Sequence, residues 1–155
     1  MIQIKPRIID GIYRHAISEY PGEACGIIIG KKDVPDSFEL SFPCKNLQDE
    51  MNAKDPERFP RTSKMAYFLN PKDLFQVQRM ARERGMDMKI IYHSHVDVGA
   101  YFSEEDKKQA TYEGNPLYPG VRYLVVDAAQ DKTRGAKLFG WDESKKDFLE
   151  LAWSE

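Results

Sequence analysis

Two of the three histidines in this 155-residue chain stand at alternate positions, His93-Ser94-His95, and a serine and an acid follow at Ser103 and Asp106. The histidines directly follow an apolar, strand-like run, Met88-Lys89-Ile90-Ile91-Tyr92. Side chains on a strand repeat every two residues, so both imidazoles project to one face. With a carboxylate returning after a short loop they make three protein ligands, and a catalytic zinc typically uses three and leaves the fourth position to water. The spacing points to an open metal site and to hydrolysis. Each residue also has an ordinary reading. A histidine at a strand end is usually a satisfied polar group. Ser103-x-x-Asp106 is a capping-box-like pair, and an acid in a first helical turn is favoured by the helix dipole. The two readings are compatible, because a cap that fixes the helix start also holds Asp106 toward the histidines.

Other metal sites fit the pattern less well. There is no His-Glu-x-x-His of a helix-borne zinc protease, and no Cys-x-x-Cys of a nucleobase deaminase. A closed structural zinc normally takes four protein ligands. Iron and manganese also accept histidine with carboxylate, but zinc is the first choice for this donor set. Such a hydrolase needs a general base for the attacking water. Glu23, Asp97, Glu104, Glu105 and Glu113 are all available. Glu23 stands out at a helix-to-strand junction, as either an ordinary turn residue or an acid at the mouth of a site. Cys25, between Ala24 and Gly26-Ile27-Ile28, reads as a buried strand residue rather than a thiol nucleophile.

The elements that must position these residues are legible. Ile8, Ile9, Ile12, Ala16 and Ile17 recur at helical spacing from Pro6 to Tyr20, with proline in the first turn and Pro21-Gly22 ending the helix. Residues 24–30 read as a buried strand, and 37–42 as its hairpin partner. Residues 45–62 are a polar connection without a period, of a length often functional. Residues 65–69 read as a strand. Asn70-Pro71 opens a helix that Gly85 stops. The histidine strand follows, then a loop, then a capped helix from Ser103. Residues 112–119 are turn-rich, and 121–127, 136–141 and 147–153 read as three closing strands. His15 falls on the polar side of the first helix and reads as solvated. Tyr92, Tyr101, Phe102 and Trp141 read as packing more than recognition, although Tyr101 and Phe102 lie beside the proposed site. The expected fold is one α+β domain over residues 1–155, with a mostly antiparallel sheet and a few helices.

Composition adds exclusions. A 41% hydrophobic share and a net charge of −2 describe an ordinary globular chain, with no electrostatic case for nucleic acid or an anionic membrane as partner. Apolar runs are too short for a membrane span. The first residues carry no apolar core of signal-peptide length, and two cysteines are no disulfide framework, so a cytoplasmic setting is expected.

Taken together, these residues resemble the JAMM (MPN-plus) metallopeptidases. That pattern joins an upstream Glu to His-x-His-Pro and, seven residues on, Ser-x-x-Asp. Here it reads as Glu23 within Gly-Glu-Ala-Cys-Gly, then His93-Ser94-His95, Ser103 and Asp106. Tyr-Pro-Gly-Glu-Ala-Cys-Gly and the stretch Ala100–Asp106 look like the compact bacterial branch, and the resemblance runs from Ile8 to the closing strands. It implies a curved sheet flanked by helices, the cytidine-deaminase-like MPN fold. It also implies one Zn2+ per chain held by His93, His95 and Asp106, with Glu23 as general base and Ser103 as donor to the developing oxyanion. The implied substrate is a ubiquitin-like or sulfur-carrier protein with a Gly-Gly tail, cleaved after that tail. Val96, Tyr101 and Phe102 are expected to border it. One departure is Val96 where the family has proline, which leaves the path of the loop 96–102 open. Two alternatives stand: a phage-tail or cell-wall-related peptidase of the same family, disfavoured by the lack of a second domain or wall-binding repeat, and a non-catalytic interaction module. Homodimer formation is left open.

Overall fold

The run that ends in the two histidines forms one long strand in the middle of a six-stranded sheet. The computed structural model describes residues Met1–Glu155. In chain order the elements are β1 (Ile2–Gln3), α1 (Pro6–Glu19), β2 (Cys25–Lys31), β3 (Leu40–Cys44), α2 (Gln48–Lys54), α3 (Pro71–Glu83) and β4 (Met86–Val96). They continue with α4 (Glu104–Ala110), β5 (Thr111–Tyr112), β6 (Asn115–Pro116), β7 (Arg122–Ala129), β8 (Lys132–Asp142), β9 (Asp147–Leu151) and β10 (Trp153–Ser154). The main sheet has the order β3-β2-β4-β7-β8-β9. All its neighbours are antiparallel except β4 and β7, which are parallel. The expected α+β sheet flanked by helices is what the chain forms.

Alternation along β4 sorts the two faces. Ile90 and Tyr92 join the cluster under α1, whose Ile8, Ile9, Ile12 and Ala16 are buried. Burying each isoleucine contributes roughly 1.5–3 kcal/mol before chain entropy is counted. Ile91, His93 and His95 face the other side. There Ile91 joins Phe102, Tyr123, Val125, Phe139 and Phe148, while Cys25, Ile27 and Ile29 of β2 pack with Tyr67 and with Val77 and Ala81 of α3. The histidines thus sit between two apolar clusters.

Four local readings need correction. Residues 48–54 of the polar connection are helical. With only one buried residue, Gln48, this short helix has no apolar stripe to betray it. Residues 65–69 form no strand, only a bridge between Leu69 and Asn46. Their backbone serves side chains instead: Asn46 donates to the carbonyl of Ala66 and accepts from the N–H of Phe68. The partner of β2 runs Leu40–Cys44, later than 37–42, because Ser37 turns its hydroxyl back to the Lys31 N–H. His15 is not solvated. Its Nδ1 lies 2.7 Å from the hydroxyl of Tyr92, which is 1% exposed. A buried phenol seeks a hydrogen-bond partner, and the ring occupies space that a Cβ on Gly26 would fill.

Candidate metal centre

His93 and His95 share a face of β4, and the turn after the strand sends the chain back to α4, whose third residue is Asp106. His93 Nε2 and His95 Nε2 are 3.3 Å apart. Asp106 Oδ2 lies 3.1 Å from the first and 3.0 Å from the second. All three side chains are buried, at 0%, 4% and 5% exposure. Hydrogen bonding does not explain the whole triangle. If both Nε2–H groups donate to Asp106, neither nitrogen accepts from the other, yet they are in contact. The edge of a tetrahedron with zinc-ligand bonds of ~2.0–2.1 Å is about 3.3–3.4 Å. The three donor atoms therefore fit one face of such a tetrahedron, and the set of two imidazoles and one carboxylate suits a zinc ion.

Each donor is held in place. His95 Nδ1 lies 3.1 Å from the carbonyl of Gly99, an acceptor that keeps a proton on Nδ1 and would leave the Nε2 lone pair to a metal once the Nε2 proton is given up. Gly99 has φ +87, a conformation that glycine accepts freely. His93 is held by packing: Tyr67 stacks on it with centroids 4.5 Å apart, and His93 Nδ1 has no hydrogen-bond partner. Asp106 is oriented by a complete capping box, accepting from the Ser103 N–H at 2.9 Å while Ser103 Oγ accepts from the Asp106 N–H at 3.0 Å. The capping reading of Ser-x-x-Asp is met with Asp106 still turned toward the histidines, and the Ser103 hydroxyl keeps its own hydrogen to donate. Burial alone would raise the Asp106 carboxyl. The charge of His93 and hydrogen bonds from His93, His95 and the Ser103 backbone outweigh it and hold the group well below the usual carboxylate range.

Glu23 reaches the site through strand pairing. Cys25 is the register partner of His93. Ser94 continues the pairing, with its N–H donating to the Ala24 carbonyl and its Oγ accepting from the Ala24 N–H. Carried one step further, the register sets Glu23 across from His95 on the same face. Its backbone is tied down by Asn46, which donates to the Glu23 carbonyl, and by the Ser63 carbonyl, which accepts from the Glu23 N–H. Ser63 is held in turn by Asp49. The polar segment thus anchors Glu23. Asn46, Asp49, Ser63, Ser94 and Tyr67 are positioning residues that the linear pattern did not single out, and for Asn46 and Ser63 it carries no signal that could have. Phe102 packs on Tyr123, Phe139 and Phe148, in keeping with its packing reading. Tyr101 is 48% exposed with its ring against His95, and Val96 is half-buried. Burial pushes the Cys25 thiol far up, which removes it as a nucleophile.

Glu23 is 5% exposed and its Oε1 has no partner. Burial pushes its carboxyl from 4.5 up to about 9, with the charge of Asp106 adding and Arg61 opposing. These side chains alone set that value; a divalent cation alongside would lower it. The unfolded carboxyl ionises near 4.5 while the folded one keeps its proton to about 9, so stability is full below 4.5 and declines through that window. Protein stripped with a chelator is expected to lose up to about 1.4 kcal/mol per pH unit there. Glu23→Gln is expected to flatten the decline and to be the more stable form at neutral pH. Urea midpoints across the pH range measure this, and parallel profiles for the two proteins would refute it.

A groove of about 810 Å³ opens beside the centre. Phe59, Arg61, Tyr67, Glu105, Lys108 and Tyr118 are among the residues that line it. Tyr67 links it to His93.

Comparison with known proteins places these observations. Residues 5–137 match the family described as prokaryotic homologs of the JAB domain. The chain is 35% identical over 106 residues to tail tip assembly protein K of Escherichia phage N15, covering 68% of this chain and 35% of that protein. It thus spans about a third of that relative's length. It is 29% identical over 126 residues to the CysO-cysteine peptidase of Mycobacterium tuberculosis, covering 81% of this chain and 73% of that one. In fold it is similar to a protein from Desulfitobacterium hafniense solved in solution, with a TM-score of 0.71 and 23% identity over 100% of this chain and 93% of the other. No helix is long and apolar enough to cross a membrane.

Proposed function

This chain belongs to the prokaryotic JAB family of the JAMM type, and from that membership we propose that residues 1–155 are a zinc-dependent peptidase domain. Its substrate is a ubiquitin-like or sulfur-carrier protein, cut after a C-terminal Gly-Gly tail. The observation that carries the reading is the triangle of His93 Nε2, His95 Nε2 and Asp106 Oδ2, at tetrahedral-edge spacing between two apolar clusters. The likeness to a protein named a CysO-cysteine peptidase supports the class of substrate.

His93, His95 and Asp106 hold the zinc. When bound, the ion supplies Lewis acidity, polarising the scissile carbonyl and making water acidic enough to attack near neutral pH. Glu23 takes the proton from the attacking water and passes it to the leaving amine, a role suited to a buried carboxyl with an unpartnered oxygen. Ser103 donates its hydroxyl hydrogen to the oxygen on which charge develops, and the capping box fixes where that hydroxyl stands. The groove between residues 57–61 and α4 takes the tail ahead of the bond, and Val96 and Tyr101 border the departing side. Glycine at the end of the tail lets its backbone approach the centre without a β-carbon in the way.

Protein K of phage N15 favours a second reading, a related peptidase that works within a phage tail. One panel separates the two. The purified chain with zinc is given Gly-Gly-tailed sulfur carriers fused to cysteine or a short peptide, ubiquitin fusions, and cell-wall peptides, each with and without a chelator. Chelator-sensitive cleavage after Gly-Gly is expected. Cleavage of cell-wall peptides alone transfers the assignment to the second reading. A chain that binds one zinc and cleaves nothing is an interaction module.

A further inference from the structure

The two segments that converge on the centre are also joined at the surface. Tyr20 is three residues before Glu23, and Asp97 is two residues after His95. The Tyr20 hydroxyl donates to Asp97 Oδ2 at 2.6 Å, across 77 residues of sequence. We propose that this hydrogen bond is a latch that holds the Glu23 segment and the His95 loop at a fixed separation, which makes Tyr20 and Asp97 positioning residues for the metal centre. The inference rests on the metal-site reading above and concerns how this chain orders a loop that has Val96 in place of the family's proline.

The path of the latch is short. Asp97 follows the last residue of β4 and is pinned on one side by its N–H, which donates to the Ala128 carbonyl at 2.9 Å. It sits at φ 62, a left-handed conformation that most side chains avoid and aspartate tolerates better than most. Two residues on, Gly99 presents the carbonyl that orients His95 Nδ1, and Tyr101 then lays its ring against His95. Where Asp97 stands therefore decides where the Gly99 carbonyl stands, and so the direction of His95 Nε2. At the other end, Tyr20 ends α1 with its N–H on the Ile17 carbonyl. The turn then continues through Gly22, whose N–H donates to the Glu19 carbonyl, directly into Glu23. A neighbouring pair braces the same rim: Arg134 binds both carboxylate oxygens of Asp127, the register partner of His95 on β7. Without the Tyr20 contact the loop from Asp97 to Gly99 has exposed side chains at Asp97 and Val98 and little packing to hold it.

Asp97→Gly separates positioning from stability. Glycine accepts the left-handed φ, so the fold keeps its stability while the carboxylate is lost. Three measurements on the full chain are expected to agree for Asp97→Gly and Tyr20→Phe. Zinc affinity, by competition with a chromogenic chelator, falls severalfold, short of the ~10–100-fold for loss of a direct outer partner of a metal ligand. Urea midpoints of the Asp97→Gly protein stay at or above wild type. In metal-free protein, hydrogen exchange speeds up at Gly22 and Glu23 and at Gly99 to Tyr101 together, whichever end is mutated. The double variant is no worse than either single one, since both remove the same bond. Asp97→Asn, which keeps an acceptor oxygen, recovers part of the affinity. Wild-type affinity and exchange in both single variants would overturn the latch. Wild-type protein that binds no zinc would instead overturn the metal-site reading, and the exchange data would still decide whether the latch couples the two segments.

Discussion

Glu23→Gln is expected to cut turnover by about 10²–10⁴-fold, the range for loss of a general base, while the protein keeps one zinc per chain. The substitution is nearly isosteric, and the backbone anchors from Asn46 and Ser63 do not involve the side chain. Only the proton-accepting oxygen is lost. The same change is expected to stabilise the chelator-stripped protein at neutral pH, because a carboxyl held far above its ordinary range is costly to ionise. Falling rate with rising stability is the signature of a group kept for chemistry at the expense of the fold. Steady-state turnover of a Gly-Gly-tailed fusion, together with metal content by mass spectrometry, tests it. Turnover within tenfold of wild type would remove Glu23 from the mechanism, and loss of the metal would make it a structural acid instead.

Asp106→Ala is expected to abolish stoichiometric zinc binding and turnover together. Asp106 Oδ2 is the corner of the triangle that meets both imidazoles and also the Ser103 N–H. Removing an outer partner of a metal ligand costs about 10–100-fold in affinity, and removing a ligand costs more. The variant also loses the N3 half of a capping box, which weakens the start of α4. Two controls divide the effects. Asp106→Asn keeps an oxygen able to accept from the Ser103 N–H but lacks the charge, so it is expected to recover helix stability and not zinc. Glu105→Ala, one residue away in the groove wall, is expected to keep the metal. Stoichiometric zinc in Asp106→Ala would show that the histidines suffice and would break the three-ligand reading.

The parts of this protein that follow from local physics were open to the sequence. A period of two puts His93 and His95 on one face. Pro6 and Pro71 mark first helical turns, Asn70 caps α3 by accepting from the Lys72 N–H, and Ser103 with Asp106 closes a capping box. Each depends on residues within one turn of one another. The misreadings share the opposite cause. The helix Gln48–Lys54 has no apolar stripe because its side chains bond to a distant backbone: Gln48 donates to the Arg61 carbonyl and Asn52 to the Phe59 carbonyl. His15 lies on the polar side of its helix in sequence, yet it is turned inward by a phenol 77 residues away.

Glu23 shows the division most sharply. Its place at a helix-to-strand junction makes it stand out but allows a turn residue as readily as a catalytic acid, and only resemblance to a known pattern favoured the second. The sequence by itself determined which donor atoms were available and that the two imidazoles would face the same way. The tertiary structure decided the rest. Pairing of Cys25 with His93 carries Glu23 opposite His95, and Asn46 and Ser63 hold it there. The turn after β4 brings Asp106 Oδ2 to within 3.1 Å of both histidines. Strand register and loop closure join residues tens of positions apart, and no local propensity encodes them.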